Sequence, residues 1–196
     1  MRPLVIATTN QGKLREIQEL LAGLPIALQT LADFPPIEPP EETGSSFEEN
    51  ARLKARYYAA ITGVPVVAED SGLEVDALNR EPGVQSARYG GESATYPEKF
   101  ALIYKGLAAA GVSSSTARFV CALAMADADG VRFETRGTIE GAIAPEPSGT
   151  GGFGYDPIFF YPPFGCTLAE VVGPRKGEVS HRGNAFRALR HWLEQA

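Results

Sequence analysis

The sequence has little cysteine and no long apolar run. Only two of its 196 residues are cysteines, Cys121 and Cys166, and neither lies in a Cys-x-x-Cys or Cys/His pattern, which argues against a zinc site. No stretch of about 18 apolar residues predicts a membrane-spanning helix. The apolar segment at the N-terminus is soon interrupted by polar residues and is too short for an export signal. We therefore expect a soluble, cytoplasmic protein that contacts no membrane.

Charged residues are also sparse, and no long block carries one sign. They make up 21% of the chain, hydrophobic residues make up 44%, and the net charge is −6. This composition argues against disorder and against a non-specific binder of nucleic acid, which would carry a basic face. It is compatible with a small anionic ligand, because a few local lysines can hold a phosphate chain inside an acidic protein. The length allows one large domain, or two lobes around a cleft.

Apolar runs and turn residues predict an α/β fold, in which helices cover both sides of a mixed sheet. No internal repeat or low-complexity linker divides the chain. The predicted strands cover residues 4–8, 26–31, 64–68, 117–126 and 131–143, with a possible continuation at 74–78. The predicted helices begin near residues 14, 47, 97 and 184, and the first two end at Gly23 and Gly63.

The most informative segment is residues 151–160, GGFGYDPIFF. Its glycines allow a backbone to approach a ligand closely and to adopt positive φ. Phe153 and Tyr155 offer aromatic faces on which a flat base can stack, and Asp156 offers an acceptor to a base edge. The segment indicates a nucleobase pocket. The alternative is a tight turn that leads into a hydrophobic strand.

A second candidate site is the predicted strand-to-helix junction TTNQGK, residues 8–13. Free N–H groups and a partial positive charge at a helix N-terminus favour phosphate, and Lys13 adds a full charge. The segment is not a Walker A loop, because the upstream glycine is absent and no Ser or Thr follows Lys13. The alternative is an ordinary βα turn with a surface lysine.

A third candidate is Glu69-Asp70-Ser71-Gly72, which we place just past the carboxyl end of a strand, where α/β sheets usually bind ligands. Mg²⁺ is a natural partner for such carboxylates. Neighbours on a strand point to opposite faces, so only one acid can face the site, and we favour Asp70 with Ser71 as a nearby hydroxyl. A second carboxylate could come from Glu41, Glu42 or Glu49. The alternative is an acidic turn that faces solvent.

The fourth candidate is a cationic segment before the last predicted helix. Arg175-Lys176 and Ser180-His181-Arg182 place three cations and a histidine within eight residues, which suits a phosphate chain or a purine edge. The alternative is a basic capping segment on the surface. Together the four segments supply the parts of a nucleoside triphosphate site.

These segments, with others in the same order, resemble the inosine/xanthosine triphosphate pyrophosphatase family, the Ham1-like proteins. The resemblance spans nearly the full chain. The motifs that carry it are TTNQGK (8–13), FEENA (47–51), EDSGL (69–73), PG (82–83), SARY (86–89), GFGYDP (152–157) and SHR (180–182). It implies one domain over residues 1–196, with an elongated mixed sheet flanked by helices and two lobes around a central substrate cleft. It also implies a homodimer that hydrolyses ITP, dITP and XTP with Mg²⁺ to the monophosphate and pyrophosphate, which removes these nucleotides from the precursor pool.

The resemblance also implies roles for individual residues. Asp70 matches the general base and a metal ligand, and Glu41 matches the second metal ligand, with Glu42 aligning almost as well. The positions that match triphosphate contacts are Thr8, Thr9, Asn10, Gln11, Gly12, Lys13, Ser71 and Lys176. The positions that match base contacts are Phe153, Gly154, Tyr155, Asp156, His181 and Arg182.

Two other functions fit part of this pattern. A related pyrophosphatase could act on pyrimidine or modified nucleotides, although the Phe153/His181 pattern favours purines. A nucleotide-binding regulator without turnover would need the base pocket and the cations, but it has no use for a carboxylate beside the phosphates. Release of pyrophosphate in the presence of Mg²⁺ separates these possibilities.

Overall fold

The computed structural model describes residues 2–195 and divides the chain into two compact units. The first unit contains the chain up to Asp70, Cys121–Gly137 and the chain from His181 onward. The second unit contains Ser71–Val120 and Thr138–Ser180. Each unit is therefore assembled from segments that are distant in the sequence.

The described strands form a seven-stranded mixed sheet in the order β2-β1-β3-β4-β5-β6-β7. Strand β1 pairs in parallel with both β2 and β3, whereas β6 pairs antiparallel with β5 and β7. The mixed α/β fold predicted from the sequence is thereby confirmed. The strands are β1 Arg2–Ile6, β2 Ile26–Thr30, β3 Val66–Val75, β4 Thr116–Asp127, β5 Gly130–Ile143, β6 Phe159–Tyr161 and β7 Cys166–Thr167.

The helices follow local signals in most cases. Helix α2 begins after Ser46, whose hydroxyl accepts the Glu49 N–H at 3.2 Å, and ends at Gly63 in the left-handed conformation. In helix α1 the Asn10 side chain accepts the N–H of Lys13 at 3.1 Å. The helices are α1 Gln11–Leu21, α2 Phe47–Thr62, α3 Tyr96–Ala109, α4 Gly173–Val179 and α5 His181–Gln195. Within residues 2–195, no helix has the length and apolar character that crossing a bilayer requires.

Each unit has its own apolar core. In the first unit, Leu4 and Ile6 of β1 pack with Ile17 and Leu21 of α1 and with Phe186 of α5, and all five are almost fully buried. In the second unit, residues of β3, α3, β4 and β6 form the core, which includes Leu73, Ile103, Phe119 and Phe159. Helical spacing on α1 and α5 in the first unit and on α3 in the second, together with apolar runs in the strands, accounts for these cores.

Three differences from the sequence prediction bear on the candidate site residues. Glu69 and Asp70 lie inside β3, not past its end, because the strand continues to Val75. Helix α4 was not predicted, since two glycines and a proline among its seven residues give it little intrinsic helix propensity. Helix α5 begins at His181, three residues before the predicted start, so His181 and Arg182 belong to its first turn.

Candidate active site

Glu69 and Asp70 are neighbours on β3 but contact different helices. Glu69 pairs with Lys13 of α1 and Arg182 of α5, whereas Asp70 pairs with Lys54 of α2. This separation is what the alternation of side chains along a strand requires. All five of these residues belong to the first unit, and β3 continues into the second unit from Ser71.

Asp70 is a buried carboxylate held by two side chains of α2. Lys54 Nζ lies 3.0 Å from its Oδ1, and Asn50 Nδ2 donates to its Oδ2 at 3.2 Å. Burial raises the pKa of Asp70 above its ordinary value, although the Lys54 cation opposes that rise. Burial works against the charge on Lys54, but Asp70 and Glu42 together raise its pKa. Lys54 and Asn50 therefore fix the orientation of Asp70, whereas its burial makes it a stronger base than an exposed carboxylate.

Glu42, and not Glu41, is the glutamate that shares a partner with Asp70. Glu42 Oε1 lies 2.7 Å from Lys54 Nζ, and both side chains are largely shielded from water. Glu41 is exposed. Glu49 is also exposed, and its carboxylate accepts the N–H and hydroxyl of Ser45, so it is engaged just before α2.

The arrangement of Asp70 and Glu42 suits a divalent cation. Residues 2–195 contain no cluster of three or more His, Cys, Asp or Glu side chains arranged to hold a metal. Mg²⁺ does not require one, because it is commonly bound by one or two carboxylates together with waters and substrate phosphates. The ammonium of Lys54 contacts both carboxylates, so this position already attracts positive charge.

The strand-to-helix junction predicted at residues 8–13 is present. Strand β1 ends at Ile6 and α1 begins at Gln11. The Thr8 hydroxyl accepts the Asn10 N–H at 3.2 Å, which shapes the turn before the helix. Thr9, Asn10 and Gln11 are exposed, and so the first turn of α1 remains accessible to an anion.

Lys13 and Arg182 meet on the other acid, Glu69. Lys13 Nζ lies 2.9 Å from Glu69 Oε1, and Arg182 binds both carboxylate oxygens. Burial works against the charge on Glu69, but Arg182 and Lys13 hold its pKa far below the usual range. Arg182 also binds Glu16 of α1 at 2.6 Å. His181, its neighbour at the start of α5, is buried as well.

In the second unit, the glycine-rich loop is organised around Asp156. Its Oδ2 accepts the Phe153 N–H at 2.8 Å and binds Lys176 Nζ at 2.7 Å. The same ammonium lies 4.8 Å from the centre of the Phe153 ring. Gly152 and Gly154 adopt φ values of 66° and 69°, which only glycine adopts without strain. Asp156 thus holds the loop and Lys176, in addition to any contact with a base edge.

Of the two loop aromatics, Phe153 is the more accessible. It is half-buried, whereas Tyr155 is buried and its hydroxyl donates to the Ser86 carbonyl at 2.8 Å. Tyr96 packs edge-on against Tyr155, with ring centres 5.4 Å apart. Of the two rings, Phe153 is therefore the more exposed to solvent, and Tyr155 anchors the loop through its hydroxyl.

The sequence indicated most of these residues as candidates for the site, but it did not indicate several of the side chains that contact them. Lys54 and Asn50 both contact Asp70 and stand four apart on α2, a spacing that puts them on one helix face. That spacing could have indicated, from the sequence alone, that Asn50 and Lys54 act together. The pairings of Glu16 with Arg182 and of Asp156 with Lys176 join distant positions, and no local pattern indicates them.

The predicted site residues fall into two groups, one in each unit. The first unit contains the phosphate-loop residues, Asp70, Glu41, His181 and Arg182. The second contains Ser71, the Phe153–Asp156 loop and Lys176. In the first unit, Lys13 and Arg182 meet on Glu69, whereas Asp70 pairs separately with Lys54. In the second unit, Asp156 joins Phe153 and Lys176. Glu41 lies exposed beside Glu42.

Comparison with known proteins covers nearly the whole chain. The model of the Ham1 family matches residues 4–192. A dITP/XTP pyrophosphatase from Geobacter sulfurreducens is 48% identical over 193 residues, which is 98% of this chain and 97% of that protein. A dITP/XTP pyrophosphatase from Listeria innocua is 46% identical over 189 residues, which is 96% of this chain and 93% of that protein. The solved structure of a HAM1 protein from Coxiella burnetii superposes with a TM-score of 0.94 at 43% identity, and all of both chains is covered. The chain therefore belongs to the Ham1 family.

Proposed function

We propose that this protein hydrolyses deaminated purine nucleoside triphosphates (ITP, dITP and XTP) to the monophosphate and pyrophosphate, in a reaction that requires Mg²⁺. The observation that carries the proposal is the similarity, over nearly the full length, to relatives named dITP/XTP pyrophosphatase. The paired carboxylates of the first unit and the aromatic loop of the second supply the residue types that such a reaction needs. Its biological role would be to remove these nucleotides from the precursor pool.

Asp70 is the proposed general base. It orients or deprotonates the water that attacks the α-phosphorus, and its burial suits this role because a raised pKa strengthens the base. Lys54 and Asn50 fix the direction of the carboxylate. Asp70 and Glu42 would hold Mg²⁺, which would polarise the phosphoryl oxygens when bound. Glu42 replaces Glu41 as the proposed second ligand because it shares Lys54 with Asp70.

The triphosphate would be bound by the N-terminus of α1 and by two lysines. The first turn of α1, where Gln11 is exposed, favours a phosphate oxygen. Lys13 and Lys176 offset the negative charge that builds on the departing pyrophosphate, and electrostatic stabilisation of this kind is usually a large catalytic contribution. The remaining proposed contacts of the triphosphate are Thr8, Thr9, Asn10 and Ser71.

The base would stack on Phe153 and be recognised at its 6-keto oxygen. Gly154, Tyr155 and Asp156 shape the loop around that ring, and His181 and Arg182 are the candidate donors. A fixed donor can donate a hydrogen bond to the 6-keto oxygen of hypoxanthine or xanthine. It is left unpaired by the 6-amino group of adenine, at a cost of about 1–3 kcal/mol for each buried donor. The proposed assembly is a homodimer, and the proposed location is the cytoplasm.

A panel of nucleotides tests this function directly. Pyrophosphate release is measured for ITP, dITP, XTP, GTP, dGTP, ATP, CTP and UTP, with and without Mg²⁺. We expect rapid release from the first three, which stops when Mg²⁺ is chelated. Equal rates with ATP and ITP would contradict the proposed selectivity, a preference for CTP or UTP would indicate the pyrimidine alternative, and binding without release would indicate a regulator.

The first prediction concerns Asp70. Asp70→Asn keeps the shape of the side chain but removes the base, so we expect the fold to persist and kcat for ITP to fall by about 10²–10⁴. Circular dichroism checks the fold, and pyrophosphate release checks the rate. Asp129→Asn is the matched control, because Asp129 is exposed on the hairpin between β4 and β5. Near-normal turnover by Asp70→Asn would remove Asp70 from the role of base.

A further inference from the structure

Glu69 is a buried carboxylate that the proposed reaction does not use. Its side chain is 3% exposed and lies between two helices of the first unit. Arg182 donates to it three times, through Nε at 3.2 and 3.1 Å and through Nη2 at 3.0 Å. Lys13 Nζ lies 2.9 Å from Oε1, and the Cys121 thiol donates to Oε2 at 2.8 Å. Cys121 is fully buried, and its thiol is this donor.

These contacts make Glu69 unsuitable as a base or a metal ligand. Both of its oxygens already accept from cations or from the thiol, and a carboxylate so engaged gains little from another proton. Asp70 on the opposite side of β3 has one lysine and one amide as partners. The two adjacent acids therefore do different work, and Glu69 acts through the groups that it holds.

The groups that Glu69 holds come from opposite ends of the chain. Lys13 belongs to the first turn of α1, and its side chain is 21% exposed at the accessible end of the cluster. Arg182 belongs to the first turn of α5, and its side chain is only 1% exposed. One carboxylate is thus shared by two cations. Removal of its charge would leave both without their common partner, and water would not replace it at the buried Arg182.

We propose that Glu69 is a positioning residue that fixes Lys13 and Arg182 relative to each other, so that one side chain controls both triphosphate binding and base discrimination. This inference rests on the proposed function, in which Lys13 contacts the triphosphate and Arg182 contacts the 6-keto oxygen. Glu16 is the second acid on Arg182, at 2.6 Å from Nη1, and 27% of its side chain is exposed. It supplies a comparison, because it is an acid on α1 that binds Arg182 from outside β3.

The experiment compares Glu69→Gln, Lys13→Met and Glu16→Gln by two measurements. Pyrophosphate affinity, from calorimetry, reports the phosphate side, and the ratio of kcat/KM for ITP to that for ATP reports the base side. We expect Lys13→Met to weaken pyrophosphate binding and leave the ratio unchanged, and Glu16→Gln to lower the ratio and leave pyrophosphate binding unchanged. Glu69→Gln should weaken both by about tenfold, the loss typical of a hydrogen bond to a charged group.

A double variant and a control sharpen the test. If Glu69 acts through Lys13, Glu69→Gln adds little to the loss of pyrophosphate affinity in Lys13→Met, whereas independent roles would give the product of the two losses. Cys121→Ser keeps a donor on the same carboxylate and should change neither measurement. A purely structural role for Glu69 would lower the melting temperature and leave both measurements unchanged, and this result would overturn the proposal.

The proposal can still be tested if Glu69→Gln does not fold or if the wild-type protein has no activity. If Glu69→Gln does not fold, Glu69→Asp keeps the charge on a shorter side chain that cannot reach both cations. It should lose at least one of the two properties, and retention of both would overturn the proposal. If the wild-type protein releases no pyrophosphate from ITP, the proposed function fails. The calorimetric comparison needs no turnover, so it still decides whether Glu69 positions Lys13.

Discussion

Two adjacent acids on one strand acquire different chemistry from their surroundings. Glu69 is paired with two cations, whereas Asp70 has one cation and a buried position that raises its pKa. The sequence predicted that only one of them would face a metal and a substrate, because side chains alternate along a strand. It did not indicate the partners of either acid, since these come from helices whose distance from the strand is set by the fold.

The choice between Glu41 and Glu42 gives a prediction for single residues. Glu42→Gln removes the carboxylate that shares Lys54 with Asp70, so we expect the Mg²⁺ concentration for half-maximal activity to rise by about tenfold. Glu41→Gln alters an exposed residue and should leave it nearly unchanged. The measurement is pyrophosphate release from ITP over a Mg²⁺ titration. A larger shift in Glu41→Gln than in Glu42→Gln would instead favour Glu41, the second metal ligand that the family resemblance implies.

Asp76, in the second unit, gives a prediction that depends on pH. Its hydrogen bonds with Arg118 hold the pKa of this carboxyl below its ordinary value. A lowered folded pKa stabilises the protein above the unfolded pKa of about 3.9, and the contribution is lost as pH falls through the folded value. Because Asp76 is partly exposed, we expect Asp76→Asn to lower the free energy of unfolding at pH 7 by only about 0.5–1 kcal/mol.

The difference between wild type and Asp76→Asn should then shrink as the pH falls below about 4. Urea unfolding at several pH values measures it. Asp129→Asn is again the control, since its carboxylate is 81% exposed and lies 3.7 Å from Arg132, so it should have little effect at any pH. A difference that stays constant down to pH 2 would show that the ionised carboxylate is not what stabilises this part of the second unit.

The helices and strands could be predicted where local signals are strong. Ser46 and Gly63 mark the ends of α2, and β4 and β5 lie close to the strands predicted at 117–126 and 131–143. Between residues 173 and 183, the local signals in the sequence did not predict where the helices lie. There α4 forms despite a glycine- and proline-rich sequence, and α5 starts early, where Arg182 finds its carboxylate partners. Contacts made in the folded protein decide those boundaries, and a local pattern does not contain them.

Gly63 provides a prediction for a whole helix. It ends α2 with φ of 69°, and its N–H donates to the Ala59 carbonyl at 3.0 Å. A side chain there would meet open space, so the cost of Gly63→Ala is backbone strain alone, and we expect a loss of about 1 kcal/mol in the free energy of unfolding. Gly63→Asn should lose less, because asparagine tolerates this conformation.

Gly177 in α4 is the matched control for that prediction. A side chain at this position also meets open space, but the backbone is helical. Gly177→Ala should therefore stabilise the protein, by about 0.5–1 kcal/mol. Urea unfolding measures all three variants. If Gly63→Ala and Gly177→Ala changed stability in the same direction, left-handed strain would not be the reason that α2 ends at this glycine.

At the scale of the whole molecule, the chain interleaves its two units. Strands β3, β4 and β5 each contain residues of both units, and the final segment returns to the first unit at His181. The sequence predicted a mixed sheet, but it could not show which segments group together, because that grouping depends on pairing between distant strands. A unit built in this way cannot be separated from the other by a single cut in the chain.

This interleaving predicts that the two units unfold together. Ile158 is fully buried in the second unit, and Ile158→Ala should lower the free energy of unfolding by about 3 kcal/mol. The one tryptophan, Trp192, reports the first unit, whereas five of the seven tyrosines lie in the second. Because three strands run continuously through both units, we expect tryptophan fluorescence and tyrosine circular dichroism to give the same lowered urea midpoint.

Val172→Ala, at a second-unit residue that is 71% exposed, should leave the midpoint in place. A tryptophan midpoint that stays at the wild-type value in Ile158→Ala would instead mean that the first unit holds its fold without the second.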